Sequence, residues 1–248
     1  MLKVERQSFI LEELRLHERV ESSCLCNELK VSDDTIRRDL ADLERKGHLK
    51  KVHGGAVSLT YIPNFTRREV DEIQLKRIVA KKALGLIREN SIIIIDAGTT
   101  NLQLVNILPL NVHLTVITNS IPAASKLCDY ENIDSIFLGG EILKNGQATV
   151  GKTIIESLIN IHADLCFLGM ASIDLNAGIT EANKQETGIK HAFIEASNKV
   201  VTLLISKKLG TVQSYKVCDI NCLTTMVTEL CPSDERLVPY AAEGVEII

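Results

Sequence analysis

Residues 31–40 constrain the fold of this chain more than any other stretch. Ser32 is a favourable N-cap, and the two aspartates that follow it suit the positive end of a helix dipole. Ile36, Leu40 and Leu43 then recur at helical spacing and form one narrow apolar stripe. The pattern predicts a short amphipathic helix that packs on a core through a single face.

Further elements are predicted on both sides of this helix. Apolar residues at helical spacing indicate a first helix around 10–14 and a short second one around 25–29. A tight turn at Lys30 separates the second helix from the third, which is expected to end at Gly47. The stretch 49–59 has strand character interrupted by two glycines. Three short helices followed by a hairpin are typical of a winged helix-turn-helix.

Charge is unevenly distributed along this region. Residues 1–34 carry five basic and eight acidic side chains, whereas residues 35–55 carry six basic and three acidic ones. On an ideal helix Arg38 lies opposite the apolar stripe, with Thr35 and Arg37 on its flanks. Positive charge is thus concentrated where DNA phosphates would be met. Taken alone, such a helix is more often simply a solvated one.

The composition limits the class of protein. The chain has 248 residues and a net charge of −4, and this length suits one small and one ordinary domain. The longest apolar run, 92–95, has the length of a strand, and the N-terminus does not resemble a signal peptide. Seven cysteines are an odd number for a disulfide framework. We therefore expect a cytoplasmic protein with reduced thiols and no membrane partner.

Two cysteine pairs raise the alternative of a metal site. Cys24 and Cys26 are two residues apart, and Cys218 and Cys222 are four apart. Residues two apart point in different directions on a helix, and no second Cys or His pair has ligand spacing. Most free cysteines behave as small buried apolar residues. We therefore predict no metal site and no cofactor.

Residues 1–57 are predicted to form the helical domain, 58–73 a linker and 74–248 a second domain. The linker contains Pro63 and Asn64 and has no periodicity. Its apolar members, Tyr61, Ile62 and Phe65, are expected to pack on a neighbouring surface. A helix is predicted from residue 74, followed by short apolar runs that alternate with segments of helical length. This alternation indicates an α/β domain with a mostly parallel sheet covered on both faces. The predicted strands are 91–96, 112–118, 133–138, 163–169, 199–205, 224–227 and 245–248.

Small and polar residues follow successive predicted strands. In open α/β sheets, ligands bind beyond the carboxyl ends of the strands. Glycine lets the backbone approach an anion, and a helix N-terminus supplies free N–H groups. Each loop alone is an ordinary turn, but their repetition favours a pocket for a phosphorylated small molecule. These residues are Asp96, Gly98, Thr99 and Thr100 after the first strand, Thr118 and Asn119 after the second, Gly139, Gly140 and Glu141 after the third, 169–172 after the fourth, and Lys208 after the fifth.

The N-terminal run resembles the DeoR family of bacterial repressors. The family signature combines a Val-Ser-x-x-Thr-Ile-Arg-Arg-Asp-Leu helix with a His-Gly-Gly-Ala wing, and every named residue occurs here, at 31–40 and 53–56. Lys51 stands where the family often has arginine; lysine neutralises a phosphate but cannot form a bidentate fork to guanine. The resemblance implies a winged helix-turn-helix that contacts phosphates and base edges. The implied DNA-binding residues are Ser32, Asp34, Thr35, Arg37, Arg38, Lys51, His53 and Gly54.

Residues 96–208 are similar to the effector domain of the same family, which shares its fold with ribose-5-phosphate isomerases and CoA transferases. The resemblance implies a phosphorylated sugar, held by the loop after the first strand with Lys208 assisting. Two aspartates common in the family are replaced here, one by Ala171 or Ser172 and one by Ile205. The implied effector-binding residues are Asp96, Gly98, Thr99, Thr100, Thr118, Asn119, Gly139, Gly140, Glu186, Lys190 and Lys208. For Glu186 and Lys190, four residues apart, a simple pair on the helix is an equal alternative.

Three functions are compared. The first is a repressor of a carbohydrate catabolic operon that binds double-stranded operator DNA as a homodimer or homotetramer, because one recognition helix cannot reach two successive major grooves. A phosphorylated sugar would control it. The second is an isomerase or CoA transferase with Asp96, Glu141 or Glu186 as base, and the third is a DNA-binding scaffold with a vestigial pocket. The sequence favours the first, with no catalytic residue.

Overall fold

A computed structural model describes residues 2–17, 19–58 and 63–248, without the side chains of Arg15 and Leu16. The chain divides into two compact units, Met1–Ile62 and Pro63–Ile248, and each is described by itself. Among the described residues, no helix has both the length and the apolar character needed to span a bilayer.

The N-terminal unit contains three helices and a small antiparallel sheet in the order β1-β3-β2. Its core is formed by residues that include Ile10, Leu25 and the predicted stripe of Ile36, Leu40 and Leu43. The winged helix-turn-helix prediction is confirmed, whereas the strand β1 was not predicted. The elements are α1 (Lys3–His17), β1 (Arg19–Glu21), α2 (Ser22–Leu29), α3 (Asp33–Arg45), β2 (Lys50–Val52) and β3 (Gly55–Val57).

Local chemistry fixes the ends of α3. The Thr35 N–H donates to Ser32 Oγ at 3.4 Å. Ser32 is therefore the N-cap of α3, as predicted. Lys30 adopts a left-handed conformation with φ 53° between α2 and α3, and Gly47 has φ 74° just beyond the end of α3. These backbone turns set the direction of α3 relative to α2 and of the strands that follow.

The C-terminal unit is an α/β domain with two additional small sheets. Its regular elements alternate as predicted over most of the unit. Three 3₁₀ turns, at Leu84–Leu86, Ser206–Lys208 and Ile220–Cys222, connect them. The elements are α4 (Phe65–Val70), α5 (Ile73–Ala83), β4 (Ser91–Ile95), α6 (Thr99–Val105), β5 (Leu114–Thr118), α7 (Ile121–Leu127), β6 (Ile133–Phe137), β7 (Glu141–Leu143), β8 (Ala148–Val150), α8 (Lys152–Leu158), β9 (Leu165–Leu168), β10 (Ser172–Asp174), β11 (Gly178–Glu181), α9 (Lys184–Glu195), β12 (Val200–Leu203), β13 (Tyr215–Cys218), β14 (Thr225–Val227), α10 (Val238–Ala242) and β15 (Glu246–Ile247).

The main sheet has seven strands in the order β15-β14-β12-β9-β4-β5-β6. Every pairing within it is parallel, and its strands are the seven predicted from apolar runs. Ile94 belongs to a core on one face and its neighbours Ile93 and Ile95 to a core on the other. Because both faces are covered, the strands are continuously apolar, as the prediction required.

The structure differs from the prediction across the proposed linker 58–73. Residues 65–70 form α4, in which the Arg67 N–H donates to Asn64 Oδ1 at 3.1 Å. Asn64 therefore caps a helix, which is why a turn-forming residue gave the appearance of a linker. Phe65 is 1 % exposed and belongs to the core of the C-terminal unit. The predicted packing of Tyr61 and Ile62 concerns residues outside those described.

Two small antiparallel sheets, separate from the main sheet, were not predicted. β7 pairs with β8, and β11 lies between β10 and β13. Gly178 begins β11 with φ 77°, and a Cβ there would lie 2.1 Å from Cys218 O, so no larger residue fits. These strands have only three or four residues, too few to show a clear alternation in sequence.

The cysteines depart from the prediction at one pair. Cys218 and Cys222 form a disulfide, so the expectation of reduced thiols is wrong for these two residues. Five cysteines are free, including Cys24 and Cys26. Within the described part of the chain, no group of three or more His, Cys, Asp or Glu side chains is placed to hold a metal ion.

Candidate functional site

The outer face of α3 presents most of the predicted DNA-binding side chains. Ser32, Asp34, Arg37 and Arg38 are exposed and Thr35 is partly so. Arg38 Nη2 lies 2.7 Å from Asp34 Oδ2, one turn earlier on the helix. The pair holds the guanidinium along the helix surface, where an exposed ion pair is weak and exchangeable.

Two buried carboxylates fix α3 against α1. Arg6 Nε donates to Asp39 Oδ2 at 2.5 Å, and Gln7 Nε2 donates to Asp42 at 2.9 Å. The Asp42 carboxylate also meets Lys3, Lys46 and Arg45 at 2.5–3.0 Å. These bonds, first from Gln7 and then from the three cations, hold the pKa of Asp42 far below its ordinary value.

The sequence reading did not predict this brace between α1 and α3. The available signal was the position of Asp39 and Asp42, three residues apart beside the apolar stripe of α3. A charged residue so close to a buried face is normally paired.

The wing is fixed by its backbone. The Lys51 N–H donates to Glu44 Oε1 at 2.8 Å, which ties β2 to α3. Gly54 has φ 80°, and a Cβ on Gly55 would lie 2.0 Å from Val20 O. His53 and Gly54 are exposed at the tip and Lys51 is partly exposed. Both glycines are thus required by the turn and the close strand approach.

In the C-terminal unit, Asp96 is the centre of a buried network. Its Oδ2 accepts from Gly169 N–H at 3.0 Å and Lys190 Nζ at 2.5 Å, and its Oδ1 accepts from Ala97 N–H at 2.7 Å. Lys190 also lies 3.4 Å from Glu181 Oε1. Asp96 therefore joins the loops after β4 and β9 to helix α9.

The surroundings of Lys190 differ from a helix-surface pair with Glu186. Lys190 is 3 % exposed and its ion-pair partners are Asp96 and Glu181. Burial alone would lower the pKa of Lys190, but the negative charges of Asp96, Glu181 and Glu186 outweigh it and raise the pKa. The ammonium stays charged and is part of the framework of the site.

The predicted loop after β5 meets the loop after β4. Asn119 Oδ1 accepts from Ala97 N–H at 3.0 Å, and Thr118 Oγ1 donates to Ile95 O at 2.6 Å. Gly98 precedes α6, and Thr99 and Thr100 form its first turn, both buried. The structure therefore brings the predicted residues of two strand ends together around Asp96.

Gly139 and Gly140 follow β6, the strand beside β5. With Thr118, they line a groove of about 640 Å³ between β6 and α7, which the side chains of the Asp96 network do not line. A Cβ on Gly140 would lie 2.5 Å from Val150 O, so close packing against β8 explains that glycine. Thr118 therefore belongs both to this groove and to the surroundings of Asp96.

Three cationic side chains beside the Asp96 network donate hydrogen bonds to main-chain carbonyl oxygens. Arg68 Nε donates to Pro63 O at 2.9 Å, and Lys208 Nζ donates to Met170 O. Lys76 Nζ donates to the carbonyls of Arg68 and Asp71. Within the described chain, none of the three forms an ion pair with a carboxylate within 4.0 Å. We call Arg68, Lys76 and Lys208 the cation cluster.

The pKa values of Lys208 and Glu186 are shifted by burial and by neighbouring charges. Burial, followed by the positive charge of Arg68, lowers the pKa of Lys208 to about 8. Burial, followed by the negative charge of Glu181, raises the pKa of half-buried Glu186 to about 7. Both shifts favour neutral forms, because burial removes water and like charges are close. An anion placed here would reverse the shift of Lys208.

The sequence reading found Lys208 and Glu186 but not Arg68, Lys76 or Glu181. Arg68 fell in the predicted linker, and Lys76 lies in the helix predicted from residue 74. Glu181 is the last residue of β11, and Gly178 at the start of that strand was the one local signal of a turn there.

Both units match known protein families. Residues 6–61 match the DeoR-like helix-turn-helix domain, and residues 71–230 match the DeoR C terminal sensor domain. Together the two matches extend over most of the chain and follow the two structural units.

Curated relatives match over nearly the whole length. The HTH-type transcriptional regulator GolR of Listeria innocua is 36 % identical over 92 % of this chain and 91 % of its own. The HTH-type transcriptional repressor GlcR of Bacillus subtilis is 32 % identical over 100 % and 96 %. An L-fucose operon activator of Haemophilus influenzae is 31 % identical over 83 % of each chain.

Solved structures give a looser likeness. Ribose 5-phosphate isomerase A of Neisseria gonorrhoeae matches 55 % of this chain and 53 % of its own with 17 % identity and a TM-score of 0.41. The curated relatives are named as regulators of transcription and not as enzymes. The chain therefore belongs to the DeoR family and is a DNA-binding transcriptional regulator with a C-terminal sensor domain.

Proposed function

We propose that this regulator represses a carbohydrate catabolic operon in the cytoplasm and that a phosphorylated sugar bound to the C-terminal unit controls it. Arg37 and Arg38 contact phosphates and base edges of the operator, with Thr35 assisting. Lys51 and His53 of the wing hold the flanking DNA backbone, and Gly54 forms the turn at the wing tip. Ser32 caps α3, and Asp34 orients Arg38 through their ion pair. The exposed face of α3 and the relatives' names support this.

The cation cluster is the observation that carries the choice of effector. Arg68, Lys76 and Lys208 are bonded to carbonyl oxygens, which satisfy N–H groups without neutralising the charge. A phosphate group supplies that charge and several acceptor oxygens at once. A neutral sugar would not neutralise the positive charge of the cluster.

The Asp96 network positions the rest of the proposed site. Because the Asp96 carboxylate is already bonded to three donors, we assign it the role of fixing the loop 96–100. The ligand then finds backbone and hydroxyl donors at Gly98, Thr99 and Thr100. The loop itself is held in place by Thr118, Asn119 and Lys190. Glu186 accepts from a sugar hydroxyl, while Gly139 and Gly140 shape the neighbouring strand end.

Control of DNA binding requires that the effector distinguishes two arrangements of the protein. Arg68 is on α4 and holds Pro63 O, the carbonyl at the start of the C-terminal unit. An anion that recruits Arg68 competes with this bond and changes how the chain leaves the unit. Two recognition helices of an oligomer would then no longer match the operator spacing.

The test is a fluorescence-polarisation titration against the protein's own promoter DNA with and without effectors. A panel of phosphorylated sugars is compared with the same sugars lacking phosphate. The proposal predicts specific binding that a phosphorylated compound, and not its neutral counterpart, weakens. Specific binding indifferent to every compound would instead favour a scaffold with a vestigial pocket.

A pair of lysine variants locates the effector. Lys208→Met should reduce the response to the phosphorylated sugar at least tenfold in effector concentration, because it removes one charge of the cluster. Lys207→Met is the matched control, since Lys207 is exposed and pairs with Asp71 at 3.2 Å. Equal responses in the two variants would exclude Lys208 from the site.

A further inference from the structure

Cys218 and Cys222 differ from the other cysteines of the chain in having each other as partners. Of the seven cysteines, these two are bonded and five are free. Their Cα atoms are 6.5 Å apart, within the range that a disulfide spans. Both residues are partly exposed, so a small reagent has access to this part of the chain. Cys166, by contrast, is fully buried, and burial raises the pKa of its thiol, which makes it unreactive.

Buried neighbours hold the two cysteines in place. Cys218 is the last residue of β13, and Cys222 is the last residue of the 3₁₀ turn that follows. Val217, Ile220 and Leu223 lie beside them in the chain and are buried in the core of the unit. Because these core contacts do not depend on the sulfur atoms, we expect the two thiols to stay adjacent after reduction. The bond is therefore able to form again.

The strand β13, which Cys218 ends, lies at the edge of its sheet. The strand order is β10-β11-β13, and within the described chain β13 pairs with β11 alone. Tyr215 and Lys216 of this strand are exposed. A short edge strand opens readily, because few hydrogen bonds and few core contacts hold it. A covalent bond at Cys218 restricts the open form and so favours the paired one.

The partner strand β11 supports the Asp96 network. Glu181, the last residue of β11, is paired in register with Tyr215 of β13. Its Oε1 accepts from the Ala171 N–H at 2.9 Å and lies 3.4 Å from Lys190 Nζ. A change in the mobility of β13 therefore acts on the strand that holds one carboxylate of this network.

We propose that Cys218 and Cys222 are a reversible redox modification site, that its oxidant is a low-molecular-weight disulfide, and that oxidation makes the sheet β10-β11-β13 more rigid. One protein thiolate attacks the small disulfide, forms a mixed disulfide and releases one small thiol. The second protein thiolate attacks the protein sulfur of the mixed disulfide and releases the second small thiol. The two protein thiols are thus oxidised by two electrons, and their two protons end on the two small thiols.

The cytoplasmic location proposed above favours a reversible bond over a permanent one. Thiol reductants keep most cysteines reduced in that compartment, and the disulfides that do form there are usually transient. Cys218 and Cys222 are only four residues apart. A bond that closes so short a loop stabilises a fold less than one that closes a long loop. The position therefore suits a switch better than a structural cross-link.

A redox titration of the full-length protein tests the site. The protein is equilibrated with reduced and oxidised glutathione at set ratios, quenched with acid, denatured and alkylated, and its mass is measured. We expect the number of alkylated cysteines to fall from seven to five over about a hundredfold rise in the ratio of oxidised glutathione to the square of the reduced form. Glutathione adducts are distinguished by their added mass.

Variants assign the titration to this pair. Cys231→Ser, in the same segment of chain, should show the same loss of two thiols, whereas Cys218→Ser and Cys222→Ser should show none. A native protein with seven reactive thiols at every ratio, or with five at every ratio, overturns the proposal. A Cys222→Ser variant that still loses two thiols also overturns it.

Hydrogen exchange tests the change in rigidity. The β13 amides should exchange roughly tenfold more slowly in the oxidised native protein than in the reduced one, while the β4 amides exchange equally in both. In Cys222→Ser the β13 amides should exchange at the reduced rate in both buffers. Equal β13 exchange in the two native forms overturns the claim that the bond stiffens the sheet. Both measurements are made without DNA or sugar, so their failure leaves the proposed regulator intact.

Discussion

In the N-terminal unit the buried carboxylates of Asp39 and Asp42 are met by cationic and amide side chains. In the C-terminal unit, by contrast, the members of the cation cluster donate to main-chain oxygens. The first arrangement satisfies both charge and hydrogen bonds, and it braces α1 against α3. The second satisfies only the hydrogen bonds. Charge that the fold leaves unneutralised is where we expect an external ion, so the comparison distinguishes a structural network from a binding site.

Within the C-terminal unit, the largest effect is expected from removing the central cation of the Asp96 network. Lys190→Met leaves Asp96 and Glu181 buried without their partner, which costs about 3–5 kcal/mol in free energy of unfolding. Urea unfolding of this unit measures it. Lys184→Met, exposed on the same helix, is the control. Equal midpoints for the two variants would show that the network is not structural.

A smaller effect is expected from the brace in the N-terminal unit. Asp39→Asn keeps the shape but loses the charge-assisted bond from Arg6, which costs about 1.5–3 kcal/mol. Operator affinity should fall with it, because α3 loses its support on α1. Thermal unfolding and polarisation measure the two effects. Weakened stability with unchanged affinity would contradict a positioning role for Asp39.

The exposed arginine of α3 should affect binding without affecting stability. Arg38→Ala removes a proposed contact to phosphate or base, with a cost of about 1–3 kcal/mol in operator binding and a salt slope reduced by about 1. Effector response of the residual binding should persist. Arg19→Ala, exposed on β1, is the control. Unchanged affinity in Arg38→Ala would place the recognition face elsewhere.

The smallest effect concerns the half-buried carboxyl of Glu186. Its folded pKa of about 7 lies above the ordinary 4.5, so its contribution to stability is present below pH 4.5 and is lost as the pH rises to about 7. Glu186→Gln should therefore melt a few degrees higher than the native protein at pH 8 and equally near pH 4. Glu195→Gln, exposed on α9, should show no such pH dependence. A constant Tm difference across this range would contradict the raised pKa.

The parts of the fold that were predicted have local causes. The stripe of Ile36, Leu40 and Leu43 and the cap at Ser32 define α3 within a few residues, and the strands of the main sheet are continuous apolar runs. Residues 65–70 of the predicted linker form a helix, because Asn64, a turn former, also caps helices. Short strands such as β7 carry too few residues for a pattern.

The site was only partly predictable for a related reason. Strand-end loops around Asp96 follow from the topology of a parallel sheet. Arg68 and Glu181 reach the same place through α4 and through a small antiparallel sheet, neither of which the sequence indicated. Close packing on β8 accounts for Gly140, while an effector-binding role for Gly139 and Gly140 stays a prediction.

The most direct test of the account is proton uptake on effector binding at pH 8. Because the pKa of Lys208 is about 8, a bound phosphate should raise it and draw a proton from the buffer. Calorimetric titration with a phosphorylated sugar active in the promoter assay, in two buffers of different ionisation enthalpy, measures the uptake. The account predicts uptake by the native protein and by Lys207→Met but not by Lys208→Met. Equal uptake in all three, or none in the native protein, would contradict the claim that the cation cluster binds the effector.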